Sequence, residues 1–411
     1  MGIQGLLPFL APIQQQAHLR DFAGKTIGVD GYVWLHRGAY ACATEIVTGR
    51  TTTKYVDFAM QRVRLLQHYG VSPYLVFDGG PLPAKVGTEE KRKQAREESK
   101  RQATALAAAG KESQARELYA KCLDVTPQMA FQFIKARLRL LRPYEALRAA
   151  GVPYVVAPYE ADAQLIHLER TGLIDGILTE DSDLLVFGCN LFLSKLDASG
   201  TLVSISRPDF ARVVPGWSDK EFREMAMLAG CDYLESIPGM GVKTAWKMMK
   251  RYRNAEKVVQ IVRFEGKLKP VPRDYLQNFR IAELAFLYQR VYDPLTERLI
   301  HLEDPPPGAL DGDGENFVGR CAHSCYRGFR LLNCSSLYSD MEPDVARRIA
   351  QGWMCPIDLI PMEDINPKFK PDEQGGRVLR PIDSNKSSTR PSTPAGSTKK
   401  GPGTLDKFFS A

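Results

Sequence analysis

Asp30, Asp78, Glu160, Asp162, Asp181, Asp183 and Asp232 are the residues whose type and spacing could do chemistry in this chain. Two pairs are tight, Glu160-Ala-Asp162 and Asp181-Ser-Asp183. Gathering so many anions in one place is unfavourable unless cations neutralise them. Hard oxygen donors without histidine or cysteine partners beside them suit Mg2+ or Mn2+ rather than zinc. A pair of such ions about 3.5–4 Å apart can activate a water and stabilise both oxygens of an in-line displacement at phosphorus. The chemistry these acids imply is phosphodiester hydrolysis. The competing reading makes each acid a helix cap or a member of a surface ion pair.

Several of the acids stand just past runs that read as buried strands. Thr26-Ile-Gly-Val leads into Asp30 and Tyr74-Leu-Val-Phe into Asp78. Val152-Pro-Tyr-Val-Val-Ala runs to Glu160, and Gly176-Ile-Leu-Thr ends at Glu180 and Asp181. Continuous β-rich runs alternating with helical patterns predict an α/β fold, with a mostly parallel central sheet flanked by helices. Ligand sites in such sheets gather beyond the carboxyl ends of the strands, which makes acids there a site hypothesis. Glu160 and Asp162 also open a helix after Pro158, where negative charge suits the N-terminus.

The 411 residues are 44% hydrophobic and 25% charged, ordinary for one large globular domain or two. A net charge of +7 permits a polyanionic partner without demanding one. The segment from Lys85 to Lys121 carries ten Lys/Arg and six Glu with an Ala-rich interior, the composition of exposed helices. After Asp232 the pattern is mostly helical to about Asp293. From about Asp364 to Gly403 the chain is rich in Pro, Ser, Thr, Gly and Lys, which predicts a disordered basic tail. Eight scattered cysteines without a secretory signal predict reduced thiols inside the cell. Cys321-Ala-His323-Ser-Cys325 with Cys334 lacks the usual zinc spacing. No apolar run approaches the roughly 18 residues of a membrane span, so no membrane partner is expected.

The motifs around the acids continue in order along the chain. They are Met1-Gly-Ile-Gln-Gly-Leu-Leu7, Val29-Asp-Gly-Tyr-Val-Trp-Leu-His36 and Leu75-Val-Phe-Asp-Gly79. Then come Ala157-Pro-Tyr-Glu-Ala-Asp-Ala-Gln-Leu165, Thr179-Glu-Asp-Ser-Asp-Leu-Leu185, Gly230-Cys-Asp-Tyr-Leu234 and Ile237-Pro-Gly-Met-Gly-Val-Lys243. From residue 1 to about 300 the chain resembles the flap endonuclease and XPG-type 5′ nuclease superfamily, matching the exonuclease 1 branch best. The resemblance implies an enzyme that enters DNA at a 5′ end or 5′ flap and needs two Mg2+ ions, with Mn2+ able to substitute.

By residue, the resemblance implies metal binding, directly or through water, for all seven acids. It places Lys85 and Arg92 where cations hold the scissile phosphate, and turns the charged segment into a helical arch over the site. Fixed cations there would stabilise a transition state that gains negative charge. Tyr32 would stack an unpaired terminal base. His36 would contact DNA, with a plain core role as its competing reading. Gly2 would bring backbone close to a bend in the DNA, with Leu6 to Phe9 nearby as an apolar wedge or, alternatively, an ordinary buried helix. Ile237-Pro-Gly239-Met-Gly241 reads from its own residues as a helix–hairpin–helix turn whose glycines let backbone N–H groups face a phosphate. The resemblance adds K+ there, near Ser236 and the Met240 carbonyl.

Two stretches depart from the family pattern, about ten residues over Arg137–Ala146 and roughly Arg320 to Met341. The end, Thr404-Leu405-Asp-Lys-Phe408-Phe409, resembles a sliding-clamp peptide anchored by Leu405, Phe408 and Phe409, although Pro402 stands where that motif has Gln. The expected organisation is a nuclease region with the start of the arch (1–99), the arch and its return (100–136) and an internal nuclease region (137–230). A helix–hairpin–helix DNA-binding region (231–300), a C-terminal extension wrapping the core (301–363) and the tail (364–411) follow. The expected function is a 5′→3′ double-stranded DNA exonuclease with 5′ flap activity, nuclear, serving mismatch repair and recombination beside mismatch-repair proteins. A replication flap endonuclease is the alternative, favoured by the clamp-like end. A catalytically silent DNA-end binder is the alternative of another class.

Overall fold

The four apolar runs become four neighbouring parallel strands. In chain order the strands of the main sheet are β1 (Gln15–His18), β2 (Thr26–Asp30), β3 (Ser72–Phe77), β4 (Tyr154–Val156), β5 (Gly176–Leu178), β6 (Leu191–Ser194) and β7 (Thr201–Ser206). Their order across the sheet is β1-β7-β6-β5-β2-β3-β4. β6, β5, β2, β3 and β4 run parallel, while β7 and β1 close one edge antiparallel. The central strands are buried on both faces, as Ile27, Val29, Leu75, Val76, Phe77 and Ile177 show, which is why they read as unbroken apolar runs. β1 and β7 are half-exposed, so their signal is weaker.

Helices Gly31–Tyr40, Lys54–His68 and Pro127–Lys135 pack with one face of the sheet in a core that includes Trp34, Leu66 and Phe133. Helices Ala161–Arg170, Asp219–Leu228, Val242–Tyr252, Ala255–Glu265 and Tyr275–Tyr288 share the other core, with Leu165, Met225, Met249 and Phe286. A hairpin, β8 (Arg290–Asp293) with β9 (Arg298–His301), follows them at the end of the stretch expected to be mostly helical and runs beyond it. The charged segment forms the expected helical hairpin, Val86–Ala108 and Glu112–Lys121, joined by a small contact of Ala103, Ala115 and Tyr119.

The computed structural model describes residues 2–135, 147–148, 150–266, 270–311, 314–319 and 341–362. All fall in one compact unit, Met1–Leu379; the second unit, Arg380–Ala411, holds the clamp-like Leu405, Phe408 and Phe409 and lies outside the described residues. The stretch 137–146, residues 320–340 with their cysteines, and the tail lie outside them too. Among the described residues no helix is long and apolar enough to cross a membrane.

Candidate active site

The acids converge because the strands that carry them end on the same side. Asp30 closes β2 opposite Val76, and Asp78 follows Phe77, whose partner in β4 is Val156. Glu160 and Asp181 come a few residues after the ends of β4 and β5. Gly79 permits this turn, since a Cβ there would lie 2.0 Å from the Ala157 carbonyl oxygen. Asp30 accepts hydrogen bonds from the Tyr32 and Val33 N–H groups at 3.0 and 3.3 Å, and so caps helix Gly31–Tyr40. Asp78 accepts from the Ala161 N–H at 2.8 Å and caps helix Ala161–Arg170, which carries Glu160 and Asp162 at its start. The cap reading is therefore correct for these two acids, but it does not exclude chemistry: only Oδ1 of each serves as the cap, and Oδ2 of Asp30 accepts a longer bond, 3.4 Å, from the Thr179 hydroxyl. Asp181 accepts from the Asp183 N–H at 3.0 Å, and Asp183 from the Ile3 N–H at 3.0 Å.

The seven acids form one electrostatic cluster. Burial pushes Asp30 up to about 8, with repulsion from Asp78 and Asp181 adding to it. Burial lifts Asp78 to about 6; the Ala161 N–H opposes this and Glu160 adds to it. Burial and the charge of Asp181 drive Asp162 and Asp183 well above the ordinary carboxylate range, and Asp181 is raised as well, chiefly by burial. Asp232 is the exception. Burial raises it, but the Lys85 ammonium and Arg92 guanidinium outweigh burial and hold it below its ordinary value.

Lys85 and Arg92 sit at the root of the helical hairpin. The Lys85 ammonium pairs with Glu160 and lies 3.1 Å from Asp232, with only 13% of its side chain exposed. One Arg92 nitrogen donates to both Asp232 oxygens, at 3.0 and 2.9 Å. Thr88 donates to the Asp232 carbonyl at 2.9 Å, so the hairpin is tied to the site by backbone and side chain. Among the described residues no three His, Cys, Asp or Glu side chains form a ready-made metal cage. Glu160 and Asp232 turn toward Lys85 and Arg92, while Asp30 and Asp78 each use an oxygen as a cap. The donor set still fits hard divalent ions. Every donor is a carboxylate oxygen, and five of the seven acids are pushed toward protonation, a cost that bound cations would remove.

The remaining expected residues divide by position. Gly2 lies against the acids with φ +82°, and a Cβ on it would meet Asp181 Oδ1 and Ser182 Oγ at 2.4 Å. Tyr32 is half-buried beside Asp78, its ring 6.5 Å from that of Phe77. His36 is exposed on its helix, which disfavours the core reading, although the chain packed around its ring still lowers its imidazole below the usual value by burial. Leu6 is fully buried and belongs to the core, so only Leu7, Pro8 and Phe9 remain at the surface of the expected wedge. Gly239 (φ +94°) and Gly241 are exposed, with Gly241 capping helix Val242–Tyr252; Met240 is buried and Ser236 half-buried between them and Asp232. That helix buries Val242, Ala245 and Met249 and turns Lys243, Lys247, Lys250 and Arg251 outward.

Two contacts on Glu160 escape sequence reasoning. The Tyr233 hydroxyl donates to Glu160 Oε2 while its ring lies 5.1 Å from the Lys85 ammonium, and Gln289 Nε2 donates to the same oxygen at 2.8 Å. Tyr233 could have been suspected from its place beside Asp232. Gln289 has no local signal, being 129 residues from its partner.

Residues 1–99 match the XPG N-terminal domain and residues 151–232 the XPG I-region. The chain is 44% identical over 322 residues to exodeoxyribonuclease 1 of Schizosaccharomyces pombe, covering 78% of this chain and 54% of that protein. It is 38% identical over 367 residues to the DNA damage-inducible protein DIN7 of Saccharomyces cerevisiae, covering 87% of this chain and 83% of that one. A looser likeness in fold, with a TM-score of 0.48 and 21% identity over 68% of this chain and 80% of the other, links it to the catalytic core of Rad2 in complex with DNA substrate. The chain spans about half the length of the exodeoxyribonuclease 1 relatives it matches in the two yeasts. With both regions matched and the DIN7 relative covered over most of its length, the chain belongs to the XPG-type 5′ nuclease family, in its exonuclease 1 branch.

Proposed function

We propose that the chain is a Mg2+-dependent 5′→3′ double-stranded DNA exonuclease that also cuts 5′ flaps. The observation that carries this reading is the cluster of acids at the carboxyl ends of adjacent strands, with Lys85 among them. Membership of the exonuclease 1 branch supports the same reaction. Asp30, Asp78, Glu160, Asp162, Asp181, Asp183 and Asp232 would hold the ions, directly or through water. Bound there, a pair of Mg2+ ions, or Mn2+ in their place, would supply the positive charge that activates water and stabilises phosphoryl oxygens.

The chain's own groups do the rest. Lys85 and Arg92 offer fixed cations beside the acids, and their N–H groups hold the phosphate and the negative charge that grows on it. Tyr32 supplies a ring for an unpaired base, and His36 a contact from the same helix. Gly2 keeps the N-terminal backbone close to the site without a clash. The turn at Gly239 and Gly241 presents backbone N–H groups to a duplex phosphate, with K+ held by Ser236 and the Met240 carbonyl, and the outward lysines of the following helix add sequence-independent affinity. DNA is the partner of this surface; a sliding clamp reading Leu405, Phe408 and Phe409, mismatch-repair proteins and a nuclear location extend the same proposal.

The test follows a duplex labelled at a 3′ end, and a 5′-flap substrate beside it, with Mg2+ or with chelator, for wild type and Asp183→Ala. Mg2+-dependent shortening from the 5′ end, absent in the variant, is expected. Folded wild-type protein that binds DNA ends without cutting would overturn the reading, and faster flap cutting than end resection would favour a flap endonuclease.

A further inference from the structure

The helix that carries Glu160 and Asp162 is gripped by chain well downstream of both matched family regions. Glu160, Gln164 and His167 are spaced i, i+4, i+7 and share one face. Gln289, Tyr292 and Asp293 meet that face. Gln164 exchanges two hydrogen bonds with the Tyr292 backbone, at 2.7 and 2.8 Å, and His167 Nε2 lies 3.4 Å from Asp293 Oδ1. These two contacts dock the helix. The third, from Gln289 Nε2, reaches the acid itself at 2.8 Å. Gln289 is in turn pinned by the β8–β9 hairpin: its carbonyl accepts from the Leu302 N–H at 2.9 Å, and the Tyr288 carbonyl is bonded to His301 Nδ1 at 2.6 Å.

Gln289 is fully buried, and its Oε1 has no hydrogen-bond partner among the described residues. An unsatisfied buried amide oxygen costs stability that an apolar side chain of similar length would not. For the fold alone glutamine is the poorer choice; its use is toward Glu160. We infer that Gln289 is a positioning residue: with the Tyr233 hydroxyl it takes up Glu160 Oε2, and so leaves Oε1 facing Lys85. This inference rests on the proposed role of Glu160 in holding a divalent ion, and it makes the hairpin after residue 289 part of the active-site scaffold.

The test compares the full chain with Gln289→Met and Gln289→Asn by thermal unfolding across a Mg2+ titration, with cleavage measured alongside. Gln289→Met is expected to melt no lower than wild type in chelator, yet to need about tenfold more Mg2+ for half of the stabilisation and half of the maximal rate, with KM for DNA unchanged. Gln289→Asn is too short to reach Glu160 and should show the same Mg2+ shift; it decides the matter if the methionine variant does not fold. A wild-type Mg2+ response in a folded variant overturns the role, whether or not melting in chelator falls. Glu160→Gln separates the two readings. If it leaves Mg2+ stabilisation intact, the ion-holding role of Glu160 fails; if it abolishes the response while Gln289→Met leaves it unchanged, only the positioning role fails.

Discussion

Lys85 and Glu160 form an ion pair in which the side chains keep only 13% and 12% of their exposure. Breaking such a shielded pair from one side leaves an uncompensated charge, which costs more than the pair contributes. Because Lys85 ends the short turn Pro83–Lys85 and precedes helix Val86–Ala108, the pair also fastens the helical hairpin to the acids. The same ammonium offsets the charge of Asp78, Asp162, Asp181, Asp183 and Asp232. Lys85 is thus both a candidate phosphate ligand and a competitor for oxygens that a divalent ion would use.

Lys85→Met should separate those two roles. Without the ammonium, the chelated protein is expected to melt several degrees lower near pH 8, while Mg2+ stabilises the variant more than it stabilises wild type. Cleavage at saturating Mg2+ should nevertheless fall by about 10²–10³, the typical loss of one electrostatic donor. Equal Mg2+ stabilisation of the two proteins would contradict the competition.

The raised acids set a pH dependence whose sign is fixed. Asp30, at about 8, and Asp78, at about 6, bind their protons more tightly in the folded state than in an unfolded chain. Their contribution to stability is fully present below the unfolded carboxylate value of about 3.9 and is lost as pH rises through the folded values. Metal-free protein should therefore lose melting temperature steadily between about pH 4 and about pH 8, and Mg2+ should restore more of it at the upper end. Melting curves in chelator that rise over this window would refute the account.

How much of this was legible in the sequence follows from burial. β2, β3 and β5 could be read because Ile27, Val29, Leu75, Val76 and Ile177 are buried on both faces and leave no polar alternation. β1 and β7 pair at a half-exposed edge, and β8 with β9 hides behind a helical stretch, so neither gave a continuous run. The acids were readable because strand ends bring them together; that Asp30 and Asp78 also cap helices depends on backbone directions that composition does not carry. Tyr233 and Gln289 meet on one Glu160 oxygen from positions 73 and 129 residues away, and no local pattern encodes that meeting.

Gly2→Ala should act on the site more than on the fold. A Cβ there would lie 2.8 Å from the Ser182 backbone nitrogen, so the N-terminal segment must move, and φ +82° adds strain of about 1–2 kcal/mol. Moving it strips the Ile3 N–H bonds to Ser182 Oγ and Asp183 Oδ1, both 3.0 Å. Displacement on this scale near reacting groups can cost about 10²-fold in rate. Single-turnover cleavage is expected to drop by that order while melting falls only slightly; wild-type rates in the variant would show that the close approach is dispensable.

Asp183→Asn should raise stability and destroy activity together. Asp183 is buried, and burial with the charge of Asp181 drives its carboxyl well above the ordinary range, so its ionised form opposes folding. The amide keeps an oxygen for the Ile3 N–H and removes one negative charge from the cluster. In chelator near pH 8 the variant is expected to melt a few degrees above wild type, with the gain shrinking toward pH 5 as the wild-type acids take up protons. Added Mg2+ should then stabilise it less than wild type, and 5′-end cleavage should fall more than about 100-fold, since one charged ligand of the proposed ion site is gone. An aspartate kept for structure alone would give the opposite pattern, lower melting with Mg2+ stabilisation and cleavage retained.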